Sequence, residues 1–106
     1  MQELIKSTLV ANGWTLLEHP SLASKTYETA IGPKTAFAYL GSNYASDPHR
    51  WLFAQYWSGG RDILEPHGVL LPKVGDTEKT RKLIEQFSAG VDKAVANSYA
   101  ARLLRH

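Results

Sequence analysis

Apolar residues at the amino-terminal end of the chain recur with the spacing of a helix. Asn12 and Gly13 follow, and glycine readily adopts the left-handed conformation that ends many helices. The pattern predicts a short helix over positions 2–11, which needs a surface to pack on. The recurring residues are Met1, Leu4, Ile5, Thr8 and Leu9.

Short segments rich in aromatic and β-branched residues come next, each bounded by residues that favour turns. The connections are too short for the crossover helices that parallel strands require. The pattern therefore predicts an antiparallel meander of four to six strands. Candidate strands lie at 14–18, 25–31, 35–40, 50–57, 62–65 and 68–71, and one of the predicted turns occupies 32–34.

The last third of the chain has the pattern of a long amphipathic helix. Asp76 or Thr77 suits the N-cap, and Glu78 is well placed against the helix dipole. An unbroken helix from Thr77 to Leu104 would be ~42 Å long, so one end would overhang a small domain, unless the helix bends at Gly90. The predicted core side consists of Leu83, Ile84, Phe87, Val91, Ala94, Val95 and Ser98.

Length and composition agree with one α+β domain over residues 1–106, with 43% hydrophobic and 21% charged residues. The chain has no cysteine, which excludes disulfides, thiolate nucleophiles and thiolate metal sites. No apolar run approaches the ~20 residues of a membrane span, and the first residues lack the apolar core of a signal peptide. We expect a cytoplasmic protein without membrane contact.

The stretch QYWSGGRDILEPHG, residues 55–68, combines aromatic residues with a glycine pair that fits a two-residue hairpin loop. Alternation along the preceding strand places Trp51, Phe53 and Trp57 on one face and Leu52, Ala54 and Tyr56 on the other, so both faces carry large apolar groups. Since helices on an antiparallel sheet commonly cover one face, we predict an aromatic partner-binding surface. It comprises Trp51, Phe53, Trp57 and Arg61. The alternative is that the tryptophans fill the core beneath a helix.

The carboxyl-terminal end of the long helix is a second candidate interface. Alanines recur from Ala94 to Ala101, and small side chains would let another chain approach closely. Tyr99 and Arg102 are the predicted contact residues there, and a homodimer through this helix is one interpretation. The other is that alanine occurs here because it is the best helix former.

A catalytic site would have to be built from Arg61, Glu65 and His67. A histidine two residues from a carboxylate suits acid/base chemistry or metal binding if both lie on one strand face. Pro66 lies between them and interrupts the strand, so a solvated turn histidine is the preferred interpretation. We predict no catalytic residues, no cofactor and no metal.

Nucleic acid is the alternative partner. Lys73, Lys79, Arg81 and Lys82 cluster at the start of the last helix, where the helix dipole also favours phosphate. The order of helix, strands and helix resembles a double-stranded RNA-binding domain, whose last helix opens with a basic cluster. The strand region is longer than in that domain, and the net charge of the chain is only +2.

Together these patterns favour a small non-enzymatic binding protein that engages another protein through its aromatic sheet face or its last helix. Accessory proteins and inhibitors carried by phages and plasmids are of this kind. Nucleic-acid binding through the basic helix start is the first alternative. A small enzyme using His67, Glu65 and Arg61 is the second.

Overall fold

The computed structural model of the chain describes residues 2–18, 21–41, 51–58, 61–62, 64, 68–72 and 76–98, with the backbone alone at Gln2, Ser58 and Arg61. Its elements follow the predicted order of a short helix, a set of antiparallel strands and a long helix. They are α1 (Gln2–Ala11), β1 (Thr15–Leu16), β2 (Ala23–Thr29), β3 (Gly32–Gly41), β4 (Trp51–Gln55), β5 (Trp57–Ser58), β6 (Arg61–Asp62), β7 (Gly68–Leu70) and α2 (Thr77–Asn97).

Helix α1 ends as its sequence predicts. Gly13 has a φ of 93°, and its N–H donates to Val10 O at 3.1 Å. The N–H of Trp14 donates to Leu9 O at 3.0 Å, which completes a Schellman motif. The cap reverses the chain so that Trp14 enters the core, where it is 3% exposed. Trp14 was predicted to begin a strand and instead precedes it.

A five-stranded antiparallel sheet in the order β1-β2-β3-β4-β7 forms the body of the fold, and β5 and β6 make a separate two-stranded ladder. Every strand pair in the two sheets is antiparallel, so the predicted meander is confirmed. The predicted turn at 32–34 is wrong. Thr29 pairs with Gly32, and the chain reverses through Ala30 and Ile31.

The side chain of Thr29 explains where this turn lies. Its hydroxyl donates to Gly32 O at 2.5 Å and accepts from Ile31 N at 3.3 Å. Gly32 takes the positive φ of 102° that closes the turn, and β3 begins with it. Gly32 and Pro33, read from the sequence as turn residues, are therefore the first residues of a ten-residue strand.

Helix α2 begins at the predicted cap. The carboxylate of Asp76 accepts from Lys79 N at 3.0 Å. The helix continues through Gly90 without a break and ends at Asn97, because Ser98 has the extended ψ of 138°. It is therefore shorter than the predicted span to Leu104. Its predicted apolar stripe is confirmed, with Thr80, Ile84, Phe87, Ser88, Val91 and Val95 buried and Leu83 and Ala94 partly buried.

Both helices pack on one face of the sheet, which we call the inner face. Its central positions are small, since four alanines there are 0 to 3% exposed. Large side chains from both helices pack over these positions, with Ile5 and Leu9 on α1 and Ile84 and Phe87 on α2, and the strands add Tyr27 and Leu52 to the same core. Small side chains on the strands let the helices pack close to the sheet. The four alanines are Ala23, Ala36, Ala38 and Ala54.

The predicted strand 50–57 divides after Gln55. Residues 51–55 pair with β3 and β7, whereas Trp57 and Ser58 pair with Asp62 and Arg61. Two neighbouring pairs, Phe53–Gly68 and Trp57–Asp62, are separated by different numbers of residues on the two sides. Three residues, 54–56, follow Phe53, whereas five residues, 63–67, precede Gly68. The two extra residues break the ladder next to Pro66, where the sequence indicated an interruption.

Candidate partner-binding face of the sheet

The face opposite the helices, here called the outer face, carries the aromatic side chains. The register of β3 with β4 places Phe37 beside Gln55, Tyr39 beside Phe53 and Gly41 beside Trp51. β7 adds Leu70 beside Trp51. The helices therefore leave uncovered the face on which the sequence predicted Trp51 and Phe53. We call these five apolar residues the aromatic patch: Phe37, Tyr39, Trp51, Phe53 and Leu70.

The aromatic patch is partly open to solvent. Phe37 and Leu70 are 38% and 39% exposed, and the other three members are half-buried. The rings of Tyr39 and Phe53 stack at 5.4 Å between centroids with 19° between their planes. Such cross-strand aromatic pairs stabilise a sheet and fix the orientation of the rings. The patch is thus a preordered surface.

Two glycines make room for this arrangement. A β-carbon added to Gly68 would lie 2.6 Å from Cζ2 of Trp51, and one added to Gly41 would lie 3.2 Å from Cε1 of Phe53. The rings of Trp51 and Phe53 therefore occupy the space above these glycines, on the neighbouring strands. Neither residue has a positive φ, so glycine is favoured here by the close approach of a side chain, and the approach is tighter at Gly68 than at Gly41.

The outer face is almost free of charge. Among the described side chains that alternation places there, Glu28 alone is charged, and it pairs with Pro33 near the β2–β3 turn. The part of the face on β1 and β2 carries hydroxyls instead. Thr26 and Thr35 form a hydroxyl pair at 3.0 Å across β2 and β3. The face is therefore divided into a hydroxyl-bearing half and an apolar half.

Trp57 stands on the short β5–β6 ladder, which continues from β4. It is 58% exposed, whereas the preceding Tyr56 is 1% exposed. Asp62, opposite Trp57, holds the base of this ladder because its Oδ1 accepts from Leu64 N at 2.9 Å and from Tyr56 N at 3.2 Å. The predicted pairing of Trp57 with Asp62 is confirmed. Leu64, which a regular hairpin would place opposite Gln55, is instead fully buried in the core.

Several predicted site residues fall outside what the structure describes. The side chain of Arg61 is one of them, although its backbone pairs with Ser58. Tyr99 and Arg102, predicted at the end of the last helix, lie beyond the described residues. The same is true of three internal residues, which also lie outside the described part of the chain: Lys73 of the basic cluster, and Glu65 and His67 of the enzymatic alternative.

The remaining residues of the basic cluster lie in the first turns of α2. Lys79, Arg81 and Lys82 are exposed. The guanidinium of Arg81 is 2.9 Å from Oε1 of Glu78, and the Asp76 carboxylate already accepts from one N–H of the helix start. Both carboxylates compete with a phosphate for this end of the helix. The cluster also lies on a helix of the inner side, away from the aromatic patch.

A polar cluster that the sequence did not predict joins β2 to both helices. Nζ of Lys25 is 2.8 Å from Oδ1 of Asp92 and also donates to Asn12 O at the end of α1. The Tyr27 hydroxyl donates to the same Asp92 oxygen at 2.6 Å. Burial, reinforced by this hydrogen bond to the carboxylate, raises the pKa of Tyr27 above its ordinary value. The hydrogen bonds of this cluster hold β2 against both helices. Tyr27 is not suited to act as a base there, because it retains its proton.

Three members of the aromatic patch were not predicted from the sequence, namely Phe37, Tyr39 and Leu70. The signal was present in the order Ala36-Phe37-Ala38-Tyr39, where alanine and aromatic residues alternate. Alternation of this kind puts the aromatics on one face and the alanines on the other. The alanines mark the face on which the helices pack, so the aromatics belong to the free face.

Within the described part of the chain, no three side chains of the metal-binding types are grouped as they would be to hold an ion. Neither described helix is long and apolar enough to cross a membrane. No family model, curated protein or solved structure matches the chain.

Proposed function

We propose that this protein is a non-enzymatic binding module that engages another protein through the outer face of its sheet. The proposal includes a cytoplasmic location and a role as an accessory protein or inhibitor. The observation that carries it is the inverted distribution of side-chain size on the sheet. Alanines face the helices at the centre of the sheet, whereas the aromatic rings of β3 and β4 face outward.

An outer face with no binding role would be expected to be polar, as solvated faces of antiparallel sheets are. Here β3, β4 and β7 instead carry apolar side chains at neighbouring outward positions. Aromatic residues are enriched at protein interfaces because each removes a large apolar area from water with few rotatable bonds. Phe37 and Leu70 at the margins of the patch are open enough to contact a partner.

Trp57 supplies an anchor beside this surface. Tryptophan is among the residues most enriched at interaction hot spots, where it fills a pocket of the partner. The Trp57 side chain is 58% exposed, so a partner that covers it would remove a large apolar area from water. The Asp62 carboxylate orders the ladder that carries it, which lowers the entropy lost when a partner binds.

Protein is favoured over nucleic acid by the charge of the outer face. Aromatic sheets that bind single strands combine stacking rings with cations that contact the phosphates. No Lys or Arg is among the described side chains that alternation places on this face. The exposed cations at the start of α2 belong to the opposite side of the molecule.

The test is capture of partners from a lysate of the source cells by immobilised protein, with and without nuclease. The proposal predicts nuclease-resistant capture that falls at least about tenfold in Trp57→Ala and in the double variant Phe37→Lys/Leu70→Lys, given hot-spot losses above ~1.4 kcal/mol. Ile31→Ala is the matched control, because Ile31 is as exposed as Trp57 and lies at the β2–β3 turn.

Capture that disappears with nuclease would replace this proposal by the nucleic-acid alternative. In that case the triple variant Lys79→Ala/Arg81→Ala/Lys82→Ala should lose binding and its salt dependence should decrease. Capture that is equally strong in all sheet variants would also contradict the proposal, since the partner would then use another surface.

A further inference from the structure

We propose that the edge of β2 binds an extended segment of another protein, which pairs with it as an added strand. This edge is separate from the aromatic patch, so the interaction is additional to the proposed function. The register of the sheet carries it, because among the described residues it leaves part of β2 without a strand on one side.

β2 is much longer than the strand that borders it on this side. It has seven residues, whereas β1 has two and pairs only with Ala23 and Ser24. The position beside Lys25 would fall to Trp14, which is not part of β1 and whose side chain is buried in the core. On its other side β2 is paired with β3 along its whole length. Within the described part of the chain, residues 25–29 therefore have a strand on one side alone.

The direction of the backbone groups of β2 follows from two observations. The N–H of Leu17 donates to Leu22 O at 3.0 Å on the β1 side. Because backbone groups alternate along a strand, those of Thr26 and Glu28 point to this same side. Pro33 of β3 pairs with Glu28 and has no N–H, which suits a pair that lies between the hydrogen bonds of the ladder. Thr26 and Glu28 thus direct their N–H and C=O groups outward, ~7 Å apart along the edge.

An extended backbone is the occupant that this edge selects. Groups repeated at strand spacing match the N–H and C=O groups of another strand, whereas a helix uses its own backbone groups internally. Charge narrows the choice further. Glu28 is exposed on the outer face, and the residue opposite it on an added strand would share that face. A Lys or Arg is therefore favoured at that position of the partner, because opposite charges on paired strands attract.

The edge is held in place before a partner arrives. The side chains of Lys25 and Tyr27 point inward, and both bond to Oδ1 of Asp92, at 2.8 Å and 2.6 Å. On the outer side the hydroxyl of Thr26 pairs with that of Thr35 at 3.0 Å. Contacts on both faces therefore fix β2, which reduces the entropy lost when a strand is added.

The probe is a displayed library of peptides of about ten residues with Val or Thr at alternate positions and random residues between them, since such peptides favour strands. Peptides selected on the intact chain should be enriched in Lys or Arg at one position. Selection on the Glu28→Lys variant should replace this enrichment by Asp or Glu. The same enrichment on both proteins would contradict a strand added beside Glu28.

Thr26→Pro tests the backbone contact. Proline removes the outward N–H, and it is tolerated on an edge whose N–H groups face solvent. The affinity of a selected peptide should fall at least about tenfold. Thr26→Val is the matched control, because it keeps the N–H and the β-branched shape, and it should leave the affinity within about twofold. N-methylation of alternate peptide residues, in one of the two phases, should weaken binding as much as Thr26→Pro without altering the protein.

Circular dichroism confirms that each variant is folded. Failure to select any peptide contradicts binding at the edge, as do selected peptides that tolerate both Thr26→Pro and N-methylation in either phase. Peptides that are lost in Phe37→Lys/Leu70→Lys but retained in Thr26→Pro bind the aromatic patch and also contradict it. If no peptide uses the edge but lysate capture still depends on Phe37 and Leu70, the proposed function stands and only the role of the β2 edge is wrong.

Discussion

The indole of Trp51 lies directly over Gly68, so close that a β-carbon at Gly68 would be 2.6 Å from Trp51 Cζ2. The two residues are diagonal neighbours on β4 and β7, since Trp51 pairs with Leu70 and Gly68 pairs with Phe53. This contact lets a large ring lie along an uncovered sheet surface instead of projecting from it. The flatness of the aromatic patch thus depends on a residue that has no side chain.

Replacing Gly68 with alanine should displace the Trp51 ring. The added methyl group cannot be accommodated without moving the indole, and overpacking of this kind costs about 1–3 kcal/mol. We expect the free energy of unfolding to fall by that amount in urea titrations followed by circular dichroism. Partner capture should also weaken, because the patch loses its shape.

Gly90→Ala is the control for this experiment. A β-carbon at Gly90 would meet no atom within 4 Å, and the residue lies within α2. Alanine there should raise the free energy of unfolding by about 0.5–1 kcal/mol, since glycine is a poor helix former. If Gly68→Ala proves as stable as Gly90→Ala, the close approach of Trp51 to Gly68 is wrong.

Ser88→Ala should destabilise the core through Trp14. The indole N–H of Trp14 donates to Ser88 Oγ at 2.9 Å, and both residues are buried. Removing the acceptor leaves a buried donor without that partner, at a cost of about 1–3 kcal/mol. Denaturant titration followed by tryptophan fluorescence measures this loss.

Ser7 provides the comparison, because its hydroxyl also bonds within the protein but lies exposed on α1. Ser7→Ala should change the free energy of unfolding by no more than about 0.5 kcal/mol. Equal effects of the two substitutions would show that the Trp14 hydrogen bond does not matter for stability.

Stability should decline in alkaline solution because of Tyr27. Burial and the hydrogen bond to Asp92 raise its pKa in the folded state above the value of about 10 in the unfolded chain. Above that pH the unfolded state releases a proton that the folded state retains, so unfolding becomes more favourable by about 1.4 kcal/mol per pH unit. Below it the contribution is fully present.

Tyr27→Phe tests this cause. The variant loses the hydroxyl that donates to Asp92 and should be less stable than the parent at neutral pH by about 1.5–3 kcal/mol. Its stability should then fall less steeply than that of the parent between about pH 10 and 11, because the titrating group is gone. Identical slopes for the two proteins would assign the alkaline loss to other groups.

The local elements of this fold could be predicted from the sequence because their causes are local. Gly13 marks the end of α1, Asp76 caps α2, and the apolar stripe of α2 is the stripe that packs on the sheet. The separation of Trp51 and Phe53 from Leu52 and Ala54 also follows from alternation alone. These features need only a few neighbouring residues.

Features that depend on contacts between distant residues could not be predicted in this way. The turn at Ala30 and Ile31 is fixed by a side-chain bond from Thr29, whereas the sequence around Gly32 and Pro33 resembles an ordinary turn. Pro66 signals an interruption before β7, but the number of extra residues there has no local signature. Both faces of β4 are apolar, so only the alanines on the other strands reveal which face the helices cover.

The most direct test of the partner-binding face is photo-cross-linking from the patch itself. Benzoylphenylalanine at position 37 retains an aromatic ring there, and the same residue at position 85 samples an exposed position on α2. After irradiation in nuclease-treated lysate, we predict protein adducts, with another copy of the chain or with a different protein, that are strong from position 37 and weak from position 85. No adduct from position 37, or equal adducts from both positions, would contradict the claim that the aromatic face is an interface.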